Sequence, residues 1–250
     1  VFITDISVNE AVAERLDAEI YRKIPTEQGI FLIDHHATAY WLNEKYSWAW
    51  VQSKSASRDS YCGTYMFRKC ANGIAFLDNF VEKVRRYDTW EWKTVYGDTH
   101  AKELNDLFYL IGRDRFIERF MTNPSVSFTE SERLLLDIES GRREAYIACK
   151  LRQVAVHEIA GHAVGVVFAE QYLSELGNVI AEQRTDIDCV AMINPSTSVS
   201  WRGADRMDCG QFAQMFGGGG HKNAAGSPIT EEMRAEVIRV IFGIDEEAAE

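Results

Sequence analysis

No apolar run of about eighteen residues occurs in this sequence, so no membrane-spanning helix is expected of it. It also lacks any C-x-x-C pair: Cys62, Cys70, Cys149, Cys189 and Cys209 are scattered and odd in number. That argues against a disulfide framework or a zinc knuckle and for reduced thiols in a cytoplasm. No secretory leader is visible. A basic excess is missing too, the formal net charge being −11. Proteins that grip long nucleic acid by its backbone need Lys and Arg in proportion to the phosphates they neutralise. A nucleotide substrate is therefore expected to be small, its charge met by bound cations and a few arginines. No Walker loop is present, because Gly-Lys-Ser/Thr does not follow the one glycine run. Apart from those glycines and an acidic tail over 245–250, there is no repeat or low-complexity tract.

What is present reads as two α/β segments. The chain can bury one large core or two smaller ones, and 46% hydrophobic with 26% charged residues is ordinary for a soluble protein. Residues 1–4 are apolar, β-prone and end at Asp5. Ser7 or Asn9 offers a cap for a helix over 10–21, with Ala11, Val12, Leu16 and Ile20 at helical spacing. Pro25 and Gly29 punctuate, and a second apolar run over 30–33 ends at Asp34. Strand, helix and strand make a βαβ unit with a parallel sheet, and the all-apolar runs predict strands covered on both faces. Ligands of such sheets bind outside the carboxyl ends of strands, where Asp5 and Asp34 stand.

Helices are predicted over 57–71 and 74–87, broken near Asn72-Gly73, and over 100–121. Thr129-Glu130-Ser131-Glu132 starts a long charged helix to about Gln153. Beyond it come a hairpin over 154–159 and 162–168, a helix over 172–184, and strands over 189–193 and 198–202 around Asn194-Pro195. A short helix over 209–216 runs into the glycines, and a helix over 230–242 closes the chain. The expected organisation is a parallel-sheet α/β domain over 1–127, a connecting helix over 128–153, and a smaller α/β domain over 154–250.

Chemistry concentrates in two places. Asp34-His35-His36 puts a carboxylate and two imidazoles at a strand end, ligands suited to divalent Mn, Fe, Co or Zn. An isolated D-H-H is as well explained by a polar loop with a helix cap. Asp5 and Asp88 shift that balance, because Asp5 ends the neighbouring strand and Asp88 follows a helix before Thr89-Trp90. Taken singly, each is a cap or turn residue. The run Gly217-Gly218-Gly219-Gly220-His221 is the second place. Consecutive glycines permit left-handed backbone that turns N–H groups into an anion nest, with His221 and Lys222 adding donors. Its packed-looking flanks argue against a flexible linker. Arg202 could fork a phosphate, and Trp90, Trp92, Trp201 and Tyr172 could stack a base, although a strand arginine and core aromatics are the plainer readings. His100, His157 and His162 show no pattern. Together the two places point to a metal-dependent enzyme that cuts phosphate esters.

These residues resemble the DHH–DHHA1 phosphoesterases, most closely the nano-RNase (oligoribonuclease) branch. Asp5, Asp34-His35-His36, Tyr87-Asp88-Thr89-Trp90 and the stretch over 216–226 carry the resemblance, with further likeness over 102–108 and 174–178. It spans nearly the whole chain. The resemblance implies a cytoplasmic, metal-dependent 3′–5′ exoribonuclease that hydrolyses very short RNA to nucleoside monophosphates. Related substrates would be 3′-phosphoadenosine 5′-phosphate or linear dinucleotides, with no membrane or long duplex partner, and a homodimer is compatible with it. It implies two Mn²⁺ ions, with Mg²⁺ or Co²⁺ as substitutes, that activate water for in-line attack on phosphorus. Asp5 would bridge the metals, His35 and Asp88 would ligate one of them, and Asp34 would ligate or orient. His36 would meet the phosphate oxygen and help proton transfer. Arg202, Gly217, Gly218, Gly219, Gly220, His221 and Asn223 would hold substrate. Inorganic pyrophosphatases of the D-H-H class fit less well, having a different second domain without the G-G-G-H loop.

One family motif, H-x-D-x-D-G, belongs upstream of Asp5 and has no counterpart in this sequence. The expectation is that the chain, opening at Val1 within a strand, lacks an N-terminal segment. This piece alone is then expected to bind at most one metal weakly and to be nearly inactive. The alternative is a non-catalytic nucleotide-binding module without a complete metal centre.

Overall fold

The computed structural model describes residues 1–20, 23, 29–53, 60–203 and 205–244. Pro25, the end of the first predicted helix at residue 21, positions 57–59 of the 57–71 helix and the acidic tail lie outside them; residues 60–62, expected to be helical, are not, and that helix begins only at Gly63, after its Cys62 cap. The chain divides into two compact units, Val1–Asp137 and Ile138–Glu250.

In the first unit, β1 (Phe2–Thr4), β2 (Phe31–Asp34) and β3 (Ala49–Val51) form a parallel sheet in that order. The crossover begins with α1 (Glu10–Arg15), where the Asn9 carboxamide accepts the Val12 N–H at 3.0 Å, and continues in a π-helical turn, Leu16–Ile20. Leu32 packs with Ala13, Ile30, Leu42 and Trp48 in one buried cluster. Each large apolar side chain so buried contributes about 1.5–3 kcal/mol. β2 is covered on both faces over its last three residues, Leu32, Ile33 and Asp34 all being buried, and the cover fails only at the strand starts. Phe2 and Phe31 are 51% and 48% exposed and stack at 5.6 Å. β2 also runs one residue further than predicted, pairing Asp34 with Val51, and that residue becomes fully buried.

The helices of this unit are α2 (Trp41–Lys45), α3 (Gly63–Cys70), α4 (Asp78–Asp88), α5 (Thr99–Ile111) and α6 (Arg113–Thr122). Gly112, at φ 79°, splits the single helix predicted over 100–121 into α5 and α6. A long helix, α7 (Glu130–Leu151), starts in a reciprocal cap: the Thr129 N–H donates to Glu132 Oε2 at 2.8 Å, and the Glu132 N–H to Thr129 Oγ1 at 3.2 Å. The division between units falls inside α7.

The second unit is a six-stranded sheet. Its strands are β4 (Ala155–Ile159), β5 (His162–Phe168), β6 (Cys189–Asn194), β7 (Ser198–Gly203), β8 (Gly219–His221) and β9 (Ala224–Pro228), ordered β4-β5-β6-β7-β9-β8. β5 and β6 are parallel, with α8 (Leu173–Gln183) between them in sequence, and the other pairs are antiparallel. Residues alternate between faces, as the pleat requires. Cys189, Ala191 and Trp201 pack with Phe212 of α9 (Cys209–Gln214), whereas Val190 and Met192 pack with Leu176 and Ile180 of α8. α10 (Glu231–Phe242) closes the chain, capped by Thr230. Among the described residues no helix is long and apolar enough to cross a membrane.

Candidate active site

The carboxyl ends of β1 and β2 bring four sequence-predicted residues together. Asp5, Asp34, His35 and His36 can each offer one ligand atom, and the four atoms lie within 4.8 Å of one another. His35 Nε2 sits 3.1 Å from Asp5 Oδ1 and 3.4 Å from Asp88 Oδ2, so two carboxylates converge on one imidazole nitrogen. Asp34 Oδ1 accepts the His35 N–H at 2.8 Å and lies 2.7 Å from His36 Nδ1. As a carboxylate accepts only, His36 Nδ1 donates there and Nε2 is left for other work. The bond to Asp5, more than the nearby charge of Asp88, holds the His35 imidazole above its ordinary value. The same bond, helped by the Gly63 N–H, holds Asp5 below the usual carboxylate range. Burial pushes Asp88 up, and the charge of Asp5 adds to the rise.

Residues without a readable signal complete this arrangement. Gly63, the first residue of α3, stands against the Asp5 side chain: an added Cβ would lie 2.6 Å from Asp5 Cβ. Cys62, its neighbour, has its thiol pushed up to about 12 by burial, which leaves it a protonated cap and no nucleophile. Arg85, 2% exposed, forks onto Glu82 with two contacts of 2.8 Å. It also donates to Glu91 at 2.5 Å and to the Ser60 carbonyl at 3.1 Å. The Ser60 N–H donates to Glu91 at 3.0 Å. This clamp ties the end of α4, which carries Asp88, to the segment leading into Gly63.

In the second unit, Arg202, Ala224 and His221 fall in one row across β7, β9 and β8. Their side chains therefore leave the same face of the sheet. Arg202 donates to Ser174 Oγ at 3.2 Å and to the Trp201 carbonyl at 2.9 Å, and no carboxylate pairs with it among the described residues. Burial lowers the pKa of its guanidinium. Gly177, missed in the sequence, makes the room: a Cβ there would stand 2.5 Å from Arg202 Cγ.

The glycine run is not a continuous nest. Only Gly217 and Gly220 have left-handed φ, at 73° and 148°. The N–H groups of Gly217 and Gly218 already donate to Gln214 and Ala213 carbonyls, while Gly219 and Gly220 belong to β8. A Cβ on Gly218 would stand 2.0 Å from the Gly226 carbonyl oxygen, so close strand packing alone demands glycine there. The Asn223 side chain is engaged as well, donating to Asp205 Oδ1 at 2.9 Å and accepting the Asp205 N–H at 3.2 Å. Lys222 Nζ lies 3.3 Å from Asp205. Trp201, 4% exposed, bonds to Ser227 Oγ at 2.8 Å, and the Tyr172 hydroxyl to Glu139 at 2.9 Å. Both are structural.

Comparison with known proteins adds a likeness. Oligoribonuclease NrnB of Bacillus subtilis (strain 168) is 38% identical over an alignment of 259 positions, which takes in 98% of this chain and 63% of that protein. This chain is similar to that oligoribonuclease over nearly all of its own length. It spans less than two thirds of the relative's length. No protein-family profile matches the sequence. Three solved structures resemble it loosely. An uncharacterized protein from Helicobacter pylori G27 gives a TM-score of 0.38 at 21% identity, covering 98% of this chain and 83% of that one. An exopolyphosphatase-related protein from Bacteroides fragilis gives 0.45 at 14%, covering 97% and 70%. The pGpG-specific phosphodiesterase PggH from Vibrio cholerae gives 0.47 at 12%, covering 88% and 81%.

The first-unit residues fit a divalent cation on their own chemistry. Two imidazoles and three carboxylates are ligands for such ions. Asp34 Oδ2 is buried and has no hydrogen-bond partner among the described residues. An unpaired buried carboxylate oxygen is costly, and a cation relieves it.

Proposed function

We propose that the whole protein carries out metal-dependent hydrolysis of phosphodiester bonds in very short RNA, releasing nucleoside monophosphates from the 3′ end, and that the 250 residues of this chain by themselves are nearly inactive. 3′-Phosphoadenosine 5′-phosphate and linear dinucleotides are related substrates. The observation that carries this reading is His35 Nε2 set between Asp5 and Asp88, beside the unpaired oxygen of Asp34. Mn²⁺, with Mg²⁺ or Co²⁺ as substitutes, would supply Lewis acidity and a water nucleophile at neutral pH. Asp5, His35, Asp88 and Asp34 would hold it. Asp34 also fixes the ring of His36 through Nδ1, leaving Nε2 to donate to a phosphate oxygen and to move a proton. Arg202 and His221 are the candidate phosphate-binding side chains of the second unit. The similarity to an oligoribonuclease supports the substrate class.

The test is turnover by the whole protein of a labelled dinucleotide, a labelled pentamer and 3′-phosphoadenosine 5′-phosphate with Mn²⁺, products being read by mass. Stepwise release of monophosphates is expected, with a loss of about 100-fold in Asp5→Asn and His35→Ala. Tight nucleotide binding without any turnover in Mn²⁺ would instead make the protein a binding module.

A further inference from the structure

A cleft of 440 Å³ lies between α4 and α5 in the first unit. That is within the range of about 300–1,000 Å³ usual for small-molecule sites. Its walls include Phe80, Tyr87 and Asp88 on one side and Asn105, Phe108 and Tyr109 on the other, with mostly apolar side chains completing the lining. Three features define what it can take. Four of those six residues are aromatic, and Tyr109 is 75% exposed, its ring edge-on to Phe108 at 5.2 Å. Asn105 is half-buried, and its carboxamide makes no hydrogen bond among the described residues. Asp88 belongs both to the cleft wall and to the cluster, its Oδ2 lying 3.4 Å from His35 Nε2.

We propose that this cleft is a nucleobase subsite of the phosphodiesterase centre, seating the base of a nucleotide whose phosphate meets the cluster at Asp88. The proposal rests on the phosphodiesterase reading above. Aromatic faces stack on any base, and a free carboxamide offers one donor and one acceptor to a base edge. A purely apolar occupant would leave Asn105 unmatched beside a carboxylate, which costs affinity. The base is thus recognised next to the reacting phosphate, in the unit that holds the metal ligands.

The experiment measures, with Mn²⁺ present, the affinity of the whole protein for nucleoside 5′-monophosphates and for ribose 5-phosphate. The wild-type protein is expected to prefer the base-bearing ligand by about ten-fold or more. Tyr109→Ala, at an exposed position, and Asn105→Leu should each reduce that preference by about ten-fold. Binding of both ligands with the preference unchanged in both variants overturns the base subsite and leaves the phosphodiesterase reading standing. Failure of both ligands to bind wild-type protein overturns the two together. A dimer that dissociates on Tyr109→Ala, with nucleotide affinity unaltered, would give the cleft to a second copy and also overturn the proposal.

Discussion

Gly63 and Asp5 share one space: a methyl group on Gly63 would stand 2.6 Å from Asp5 Cβ and 2.9 Å from its Cγ and Oδ1. Helix propensity favours alanine over glycine by up to about 1 kcal/mol. Overpacking costs about 1–3 kcal/mol and wins here, because the obstructing atoms are the root of a side chain with little freedom. Gly63→Ala is expected to displace the carboxylate and lower Mn²⁺ affinity by about ten-fold, read by metal titration. Undiminished affinity would refute the role given to Gly63.

Arg85 anchors the other side of the cluster. Its side chain is 3% exposed and that of Glu91 12%. Removing one partner of such a pair strands the other charge and costs about 3–5 kcal/mol. Arg85→Met should lose stability on that scale in urea unfolding and weaken Mn²⁺ binding through Asp88. A loss below about 1 kcal/mol would place this pair among ordinary surface contacts.

Acid should loosen the start of α7. Burial works against the charge of Glu132, but Arg119 and the Thr129 amide outweigh it and hold the carboxyl below its ordinary value of 4.5. A depressed folded pKa gives stability that is present above the unfolded value and lost as pH falls through the folded one. Glu132→Gln should therefore flatten the thermal midpoint against pH in the window below 4.5. Parallel curves for variant and wild type would contradict the linkage.

Arg202 opposes stability and binding to each other. It is half-buried and faces no carboxylate among the described residues, so Arg202→Met should leave the thermal midpoint unchanged or raised. Nucleotide affinity should fall by about ten-fold, the scale of a charge-assisted hydrogen bond. A variant that melts early but binds normally would show that the guanidinium is structural.

The parts of the fold with strong side-chain patterns were legible. The first βαβ unit, the Thr129 cap, the hairpin over 154–168 and the paired runs around Asn194 all declare themselves by apolar alternation or capping residues. β8 and β9 did not, because strands made of glycine, alanine and serine carry no hydrophobic period to read. β3, three residues long, is too short for one. The cluster was legible as residue types at strand ends, since Asp5 and Asp34 stop apolar runs. What surrounds them was not: Gly63 and Gly177 matter through the volume they leave, which depends on what folding brings opposite them. The glycine run misled in a related way. Its composition fits an anion loop, yet two of its amides bond to helix carbonyls and one glycine is required by the strand beside it.

Asp5 has a φ of 61°, its amide donating to the Ile33 carbonyl at 2.9 Å. A left-handed residue other than glycine costs on the order of 1–2 kcal/mol. Glycine at this position would relax the main chain and empty the space beside Gly63 at once, giving up only the carboxylate. A lineage released from selection for catalysis would drift downhill toward it. Whether position 5 has kept its acid against that slope is therefore a gauge, readable in any descendant sequence, of whether the chemistry is still in use.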